Sequence, residues 1–331
     1  MKHQTVYHLP QISYFKLRFQ LVALQNTHLG LNKGSMLRGA FGHSFRRVVC
    51  VAGPKQECET CILKPKCSYK QVFEPDVKEN PPPFLSGLPS TPRPYIFLCT
   101  DTNESFNKGD HLAFDFTLIG NTTEYLPYII LVVTEMAEKG LGTRRSPFKL
   151  QKVFCKNGES KTNWIEIYDA HEGKIKDIPS PQLALTSSAM AKDASVNNLT
   201  LHFQTPARLQ FNNGFKQDFT FRLLVFKILR RILELAHFYA PDEAINWEFH
   251  DYLVSADKVE IIANNLHWQD WSRRSNRQNT TLKMGGYVGD LKLTGEVAPF
   301  VDLLHMGEIL HIGKGTVFGN GKMHIITKES N

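Results

Sequence analysis

The order of secondary-structure signals constrains the fold of this chain most, because one order of strands and helices occurs twice along its 331 residues. Apolar residues at every second position predict strands, and apolar residues at every third or fourth position predict helices. The N-terminal part gives a strand at 12–24, a helix at 34–49, strands at 95–99 and 111–120, a helix at 124–140 and a strand at 148–155. This β-α-β-β-α-β order is that of a ferredoxin-like unit.

Similar segments begin again near residue 198. The pattern predicts a strand at 198–211, a long helix at 219–240, strands around 252–263, 282–295 and 308–326, and a short helical piece near 299–305. We therefore expect an α+β fold of two tandem ferredoxin-like domains, residues 1–195 and 196–331, with an insertion at 50–95 in the first.

The composition favours an intracellular protein with a polyanionic partner. Thirty-nine Lys and Arg against 32 Asp and Glu give a net charge of +7, which leans toward nucleic acid without proving it. The N-terminus shows no secretory signal, and the longest apolar run, 126–133, is too short to span a bilayer. We expect a cytoplasmic protein, whose thiols stay reduced, so its six cysteines need an explanation other than disulfides.

Four cysteines form a compact group with the spacing C-x7-C-x2-C-x5-C, namely Cys50, Cys58, Cys61 and Cys67. Four thiolates suit a tetrahedral zinc ion, so zinc is the predicted cofactor. An iron–sulfur cluster is the alternative, because four cysteines suit both. An ion held by four thiolates has no open coordination position, so we expect it to stabilise a loop rather than to act in catalysis. Cys99 and Cys155 lie in apolar strands and are predicted to be packed.

The predicted helix that follows the first strand has two unlike sides. The apolar side carries Leu37, Ala40, Phe41, Ser44, Phe45 and Val48, and the basic side carries Arg38, Gly39, Gly42, His43, Arg46 and Arg47. Interior glycines cost about 1 kcal/mol each, which fits a surface that an anion approaches closely. The alternative is a solvated basic face whose glycines pack against a neighbouring loop. Histidine is the side chain that titrates nearest neutrality, so His43 suits an acid or a base.

The C-terminal third combines cations with aromatic rings. Arg273, Arg274 and Arg277 lie close to Trp268 and Trp271, a mixture that suits single-stranded or hairpin RNA. The alternative is an exposed charged connector whose tryptophans belong to the core.

A glycine-rich segment with two lysines lies near the end of the sequence: Gly313, Lys314, Gly315, Gly319, Gly321 and Lys322. It does not fit a Walker loop, because Lys322 is followed by Met323 and no helix follows. Backbone N–H groups exposed by glycine, with lysines alongside, hold a phosphodiester backbone or pin a neighbouring helix.

Four stretches together resemble one family. These are GSMLRGAFGHSFRR followed by the four cysteines, LHFQTPARLQF before a long helix, SRRSNRQ with LKMGGYVGDL, and GEILHIGKGTVFGNGKMHI. They are similar to the CRISPR-associated endoribonucleases of the RAMP superfamily, which process precursor CRISPR RNA. The common family loop has five residues between two G-x-G pairs, whereas this chain has three, as a subfamily variant would.

The resemblance implies two RRM-like domains, CRISPR repeat RNA as substrate, and other CRISPR effector or adaptation proteins as further partners. It implies cleavage without a metal, in which the ribose 2′-OH attacks the adjacent phosphorus and the products carry a 5′-OH and a 2′,3′-cyclic phosphate. The residues that it points to for catalysis are His43, Arg38, Arg46, Arg47 and Tyr14. Those that it points to for RNA binding are Arg273, Arg274, Arg277, Lys283 and the glycine-rich segment.

Other assignments stay open at this point. His28 is the second candidate for the catalytic histidine, and His305 and His311 are expected to be structural or to contact substrate. The strongest alternative function is a non-catalytic RNA-binding subunit of the same superfamily. A third hypothesis is a zinc-stabilised protein-interaction module whose positive charge is incidental.

Overall fold

A computed structural model describes residues 7–53, 55–76, 82–85, 88, 90–158, 162–185, 197–210, 214, 220–275 and 280–326. The chain forms two compact units. The N-terminal unit is Ser13–Gln182, and the C-terminal unit combines the first 12 residues with Leu183–Asn331.

This division differs from the predicted boundary after residue 195, which keeps the first residues in the N-terminal domain. Tyr7 explains why they belong elsewhere: its ring stacks on Tyr252 at 5.1 Å, and its hydroxyl donates to the carbonyl of Asn246. The backbone N–H of Gln11 also donates to the carboxylate of Glu243 at 2.9 Å. The opening residues therefore pack within the C-terminal unit.

The N-terminal unit is an antiparallel sheet with helices. Its strands are β1 (Ser13–Ala23), β2 (Thr27–His28), β3 (Tyr95–Leu98), β4 (Ser105–Phe106), β5 (His111–Ile119), β6 (Phe148–Lys156), β7 (Trp164–Asp169) and β8 (Lys174–Ile175). Its helices are α1 (Lys33–Val49), α2 (Ser68–Val72) and α3 (Leu126–Lys139). The strands lie in the order β3-β5-β1-β6-β7-β8, so β1-α1-β3-β5-α3-β6 is the predicted β-α-β-β-α-β order. A two-residue strand, β9 (Gln182–Leu183), lies where the two units divide.

An aromatic cluster fills the core between α1 and this sheet. Alternate residues of β1 are buried, as their period-2 pattern predicts. The ring of Phe41 on α1 lies 5.6 Å from that of Tyr95, 5.3 Å from that of Phe97 and 5.5 Å from that of Phe116. It also lies 6.1 Å from the ring of Phe73, which directly follows α2. The cluster thus joins α1, two strands and the end of the cysteine-bearing insertion.

The C-terminal unit repeats the arrangement. Its strands are β10 (Asn198–Ala207), β11 (Val259–Asn264), β12 (His267–Gln269), β13 (Ser272–Ser275), β14 (Thr280–Lys283), β15 (Gly286–Gly295) and β16 (Met323–Ile326). Its helices are α4 (Phe221–Tyr239), α5 (His250–Ser255) and α6 (Val301–Leu310). The sheet order is β11-β15-β10-β16, with β12 also paired to β15 and β13 paired to β14 in a separate hairpin. The hydroxyl of Thr220 caps α4 by accepting from the N–H of Leu223.

The mixed α+β class is confirmed, but two predicted strands are wrong in part. Helix α5 occupies the start of the segment 252–263, and only Val259–Asn264 forms a strand. Helix α6 continues to Leu310, so of the segment 308–326 only Met323–Ile326 is a strand. Helix α6 is apolar on several sides, with Leu303, Leu304, Met306 and Leu310 buried, and this hides its helical period. None of the helices in the described ranges is long and apolar enough to cross a membrane.

The four glycines near the end of the sequence shape a closed loop between α6 and β16. Gly313, Gly315, Gly319 and Gly321 all have positive φ, between 73° and 89°. A methyl group at Gly321 would overlap the carbonyl of Ile312, and one at Gly313 would lie 2.7 Å from the carbonyl of Arg208. At Gly313 and Gly321 the backbone that comes close is therefore the protein's own.

A partly buried carboxylate, that of Glu308, joins α6 to the last strand. His305 Nδ1 lies 2.7 Å from Glu308 Oε2, and the N–H of Ile325 on β16 donates to Oε1 at 2.9 Å. Burial alone would raise the pKa of Glu308. Hydrogen bonds from His305, His324 and the Ile325 N–H outweigh burial and lower the pKa to about 2.

The pH dependence of stability checks this contact. Because the folded pKa of Glu308 lies below its unfolded value of 4.5, the stabilisation is complete above pH 4.5 and is lost as the pH falls toward 2. We expect the free energy of unfolding to fall by about 3 kcal/mol over that window in urea titrations. Glu308→Gln should remove most of this dependence, whereas Glu260→Gln, at an exposed position, should keep it. An unchanged slope in Glu308→Gln would contradict the assignment.

A second prediction concerns the closed loop. Gly321→Ala places a methyl group against the Ile312 carbonyl at a φ of +73°, so we expect a loss of about 3 kcal/mol in the free energy of unfolding. Gly30→Ala is the control, since a methyl group there meets nothing within 4 Å. Equal stability of the two variants in urea denaturation would show that the loop does not need this glycine.

Candidate functional site

His43 lies on an exposed face of α1. Gly39 precedes it by one helical turn, and a methyl group there would meet nothing within 4 Å. Arg47 follows it by one turn and is exposed, with Nη1 3.2 Å from Glu135 Oε1 on α3. The stripe of Gly39, His43 and Arg47 is therefore open to a large ligand.

The opposite side of α1 is buried largely as predicted. Leu37, Phe41, Ser44 and Phe45 are in the core, whereas Ala40 and Val48 are partly exposed.

The two helical glycines differ. Gly42 is buried, and a methyl group there would overlap the ring of Phe73. For Gly42 the structure therefore shows the alternative, a glycine packed against a neighbouring segment. The suggestion that it makes room for an anion is wrong, and only Gly39 leaves open space on this helix face.

Two of the three arginines predicted for catalysis contact the segment that follows α1. The guanidinium carbon of Arg38 lies 4.4 Å from the centre of the Phe73 ring, a cation–π contact. Arg46 Nη2 donates to the carbonyl of Gln56 at 2.6 Å, inside the cysteine-bearing insertion. Arg47 is the predicted arginine that lies on the exposed stripe with His43.

The other catalytic candidates of the N-terminal unit have different surroundings. Tyr14 is buried on β1, opposite Ile119 of β5. His28, the second candidate histidine, is exposed on β2, opposite Ser105 of β4.

The two lysines of the glycine-rich segment point in different directions. Lys314 is exposed, and its backbone N–H donates to the carbonyl of Arg208. Lys322 is only 8% exposed, and its ammonium donates to the carbonyl of Glu308 at 2.6 Å. In this structure Lys322 therefore caps the last turn of α6, which corrects the expectation that its charge faces RNA.

The histidines around this segment are held by the protein. His311 is buried at a φ of 54°, and its Nδ1 lies 3.0 Å from the carbonyl of Asn320. His305 pairs with Glu308, as described above.

Three further predicted RNA-binding residues, Arg273, Arg274 and Lys283, lie on the paired strands β13 and β14. In the backbone register Arg273 is opposite Leu282 and Arg274 is opposite Thr281, and Lys283 is exposed. Arg277 lies outside the described residues. Just before the hairpin, the indole of Trp268 packs edge-on against Tyr287 at 5.1 Å and donates to Asp270 at 2.7 Å.

A group of cations that the sequence pattern did not reveal surrounds Lys227 on α4. Burial lowers the pKa of Lys227, the positive charges of Arg230 and Lys314 lower it further, and the carboxylate of Glu234, which pairs with Arg230 at 2.8 Å, raises it. These three side chains therefore share one electrostatic environment. The three-residue spacing of Lys227 and Arg230 on one helix face is the signal that identifies such a group.

The four clustered cysteines line one small pocket together with Arg46, Lys64 and Lys70. As placed in the described ranges, no three His, Cys, Asp or Glu side chains are grouped closely enough to bind an ion. Cys99 and Cys155 lie apart, and burial raises the pKa of these thiols to about 11 and about 12. Both are therefore neutral packed thiols, as predicted.

Comparison with known families assigns both halves of the chain. Residues 10–180, slightly more than half of the sequence, match the family model described as the AF_1859_N N-terminal domain. Residues 201–323 match the model described as CRISPR-associated endoribonuclease Cas6. No curated protein matches the chain.

Solved structures share the fold at low sequence identity. A Cas6 product complex aligns with a TM-score of 0.54 and 13% identity, covering 96% of this chain and 100% of the other. Thermus thermophilus Cas6 aligns with a TM-score of 0.50 and 12% identity, covering 95% and 99%. A chain of a partial Cas6-RT-Cas1–Cas2 complex aligns with a TM-score of 0.55 and 14% identity. That alignment covers 98% of this chain and 48% of the longer one. The chain belongs to the AF_1859_N N-terminal domain family, whose model matches slightly more than half of it, and its residues 201–323 are similar to the CRISPR-associated endoribonuclease Cas6.

Proposed function

We propose that the protein cleaves CRISPR repeat RNA in precursor transcripts by attack of a ribose 2′-OH on the adjacent phosphorus. The bond to the 5′-oxygen breaks, so one product ends in a 2′,3′-cyclic phosphate and the other begins with a 5′-OH. In this proposal the two units are tandem ferredoxin-like domains, and the product is guide RNA that other CRISPR proteins receive. The Cas6 domain at 201–323 supports the substrate class.

The exposed stripe on α1 is the observation that carries the mechanism. The reaction needs a base at the 2′-OH, an acid at the 5′-oxygen and a cation near the phosphorane. His43 supplies one proton-transfer group, and Arg47 lies one helical turn away for the developing negative charge. Both side chains are solvent-accessible, and Gly39 leaves the neighbouring surface low enough for a phosphodiester backbone. No step of this chemistry requires a divalent ion.

Arg38, Arg46 and Tyr14 take supporting roles in this proposal. Arg38 and Arg46 fix the segment that packs on α1, through Phe73 and Gln56 respectively. Tyr14 is buried on β1, so its contribution is to hold the sheet beneath the helix.

RNA binding rests on exposed cations of the C-terminal unit. Lys314 and Lys283 are exposed, and the partly exposed Lys227 adds charge near Lys314, whereas Arg230 is paired with Glu234. Such contacts release counterions, so affinity should fall steeply as salt rises.

Removing the His43 imidazole separates catalysis from binding. We expect His43→Ala to lower the single-turnover rate on a labelled repeat RNA by about 10²–10⁴-fold in excess EDTA, with RNA affinity nearly unchanged. His111→Ala is the matched control, because this histidine is exposed on β5 of the same unit. Normal cleavage by His43→Ala would remove the assignment, and His28→Ala then tests the second candidate. Native protein that binds the repeat without cutting it would overturn the proposed reaction.

Arg47 should matter to the transition state more than to the ground state. We expect Arg47→Ala to slow cleavage by about 10²-fold while the dissociation constant for uncleaved RNA changes little. Glu135→Gln, which removes only the partner of Arg47, should leave the rate within a few-fold of the native value. An equal loss of affinity and rate in Arg47→Ala would assign this arginine to substrate binding instead.

A further inference from the structure

We propose that the pocket lined by Cys50, Cys58, Cys61 and Cys67 binds one zinc ion, and that this ion fastens the insertion to α1. The site lies in the N-terminal unit and is separate from the exposed stripe that carries His43.

The cysteine-bearing part of the insertion, residues 50–67, has no apolar core of its own. Among the described residues of 50–67 none is buried, and Val51 and Ile62 are 85% and 93% exposed. All four cysteines are nevertheless partly sheltered and turned into the same pocket. A segment that exposes its apolar side chains and encloses its thiols is typical of a metal-stabilised loop.

Successive tight turns bring the thiols together. Helix α1 ends at Val49, and the N–H of the next residue, Cys50, donates to the carbonyl of Arg46. The N–H of Cys61 donates to the carbonyl of Cys58, and a short 3₁₀ turn, Lys64–Lys66, leads to Cys67. Because the thiols line the pocket without yet meeting at one point, binding requires them to draw inward. The exposed turns between them leave room for that adjustment.

The charge of the surroundings suits a tetrathiolate centre. Four thiolates and one Zn²⁺ carry a net charge of −2, and Arg46, Lys64 and Lys70 line the same pocket. Lys64 and Lys70 are themselves held by Glu59 and Asp76, at Nζ–O distances of 2.5 to 3.2 Å. The cations are thus fixed beside the thiols before an ion arrives.

The ligand set suits a single ion. Four thiolates are the donors of a tetrahedral structural zinc site. An iron–sulfur cluster uses the same donors, so the metal analysis below also tests for iron and sulfide.

The ion would act on α1 through contacts already present. Cys50, a ligand in this proposal, directly follows the last residue of α1, and Arg46 reaches from α1 to the Gln56 carbonyl within the insertion. Phe73, beyond the last cysteine, packs against Gly42 and Phe41. Loss of the ion should therefore loosen the insertion first and α1 afterwards.

Metal analysis of the full chain tests the proposal. We expect about one zinc per chain by mass spectrometry of the metal content, and less than a tenth of that in Cys58→Ser and Cys61→Ser. Cys99→Ser is the control, because this cysteine lies outside the pocket, and it should keep its zinc. Iron with acid-labile sulfide, a disulfide between these cysteines, or metal-free native protein would each overturn the zinc assignment.

Cobalt substitution keeps the test valid if a variant fails to fold. Metal-stripped native protein titrated with Co²⁺ should give the intense visible bands of a tetrahedral thiolate site with an endpoint of one ion per chain. Zinc should then abolish these bands. Weak octahedral bands, or no saturation, would contradict a four-cysteine site.

Limited proteolysis tests whether the zinc ion fastens the cysteine-bearing segment to α1. With zinc bound, trypsin should cut at the exposed Lys55 and Lys66 at least ten-fold more slowly than after chelation. The exposed Lys149 on β6 is an internal control whose cleavage should not change. Equal rates at Lys55 and Lys66 with and without zinc would show that the ion does not fasten the insertion.

Discussion

The packing of Phe41 against the sheet is the contact on which the N-terminal unit depends. Its ring meets aromatic rings from α1, two strands and the residue that follows α2. Because this contact sets the rotation of α1 about its own axis, it also decides which residues of the helix face outward. His43 and Arg47 are exposed because Phe41 and Phe45 are not. The chemistry of the helix thus follows from the burial of its apolar side.

Strands and helices with one buried face were predictable from the sequence. The pattern of β1 has period 2 and that of α1 has a period near 3.6, so both elements were placed within one or two residues of their observed bounds. Helix α6 was not, because it is apolar on several sides and its period is hidden. The glycine-rich segment was mistaken for a strand because its alternation resembles one, while four positive φ values make it a closed loop.

The candidate site was predictable only where helical geometry decides exposure. The wheel of α1 places His43 opposite Phe41, and no tertiary information is needed to see it. Whether the side chain of a lysine beside a glycine is exposed or buried depends instead on contacts with residues that are distant in the sequence. Lys314 is exposed and Lys322 is buried against Glu308, although their local sequences are alike. The group of Lys227 with Lys314 arises in the same way, from residues almost 90 positions apart.

Glu308 has one more effect, on the edge of the C-terminal sheet. Strand β16 ends the sheet order, and an edge strand with unpaired N–H groups is a template for further strand pairing. The N–H of Ile325 is occupied by the Glu308 carboxylate, and the strand is only four residues long. A second molecule that extended the sheet at this edge would find the Ile325 N–H already paired with the Glu308 carboxylate. The residue that joins α6 to β16 therefore also discourages edge-to-edge aggregation of the folded protein.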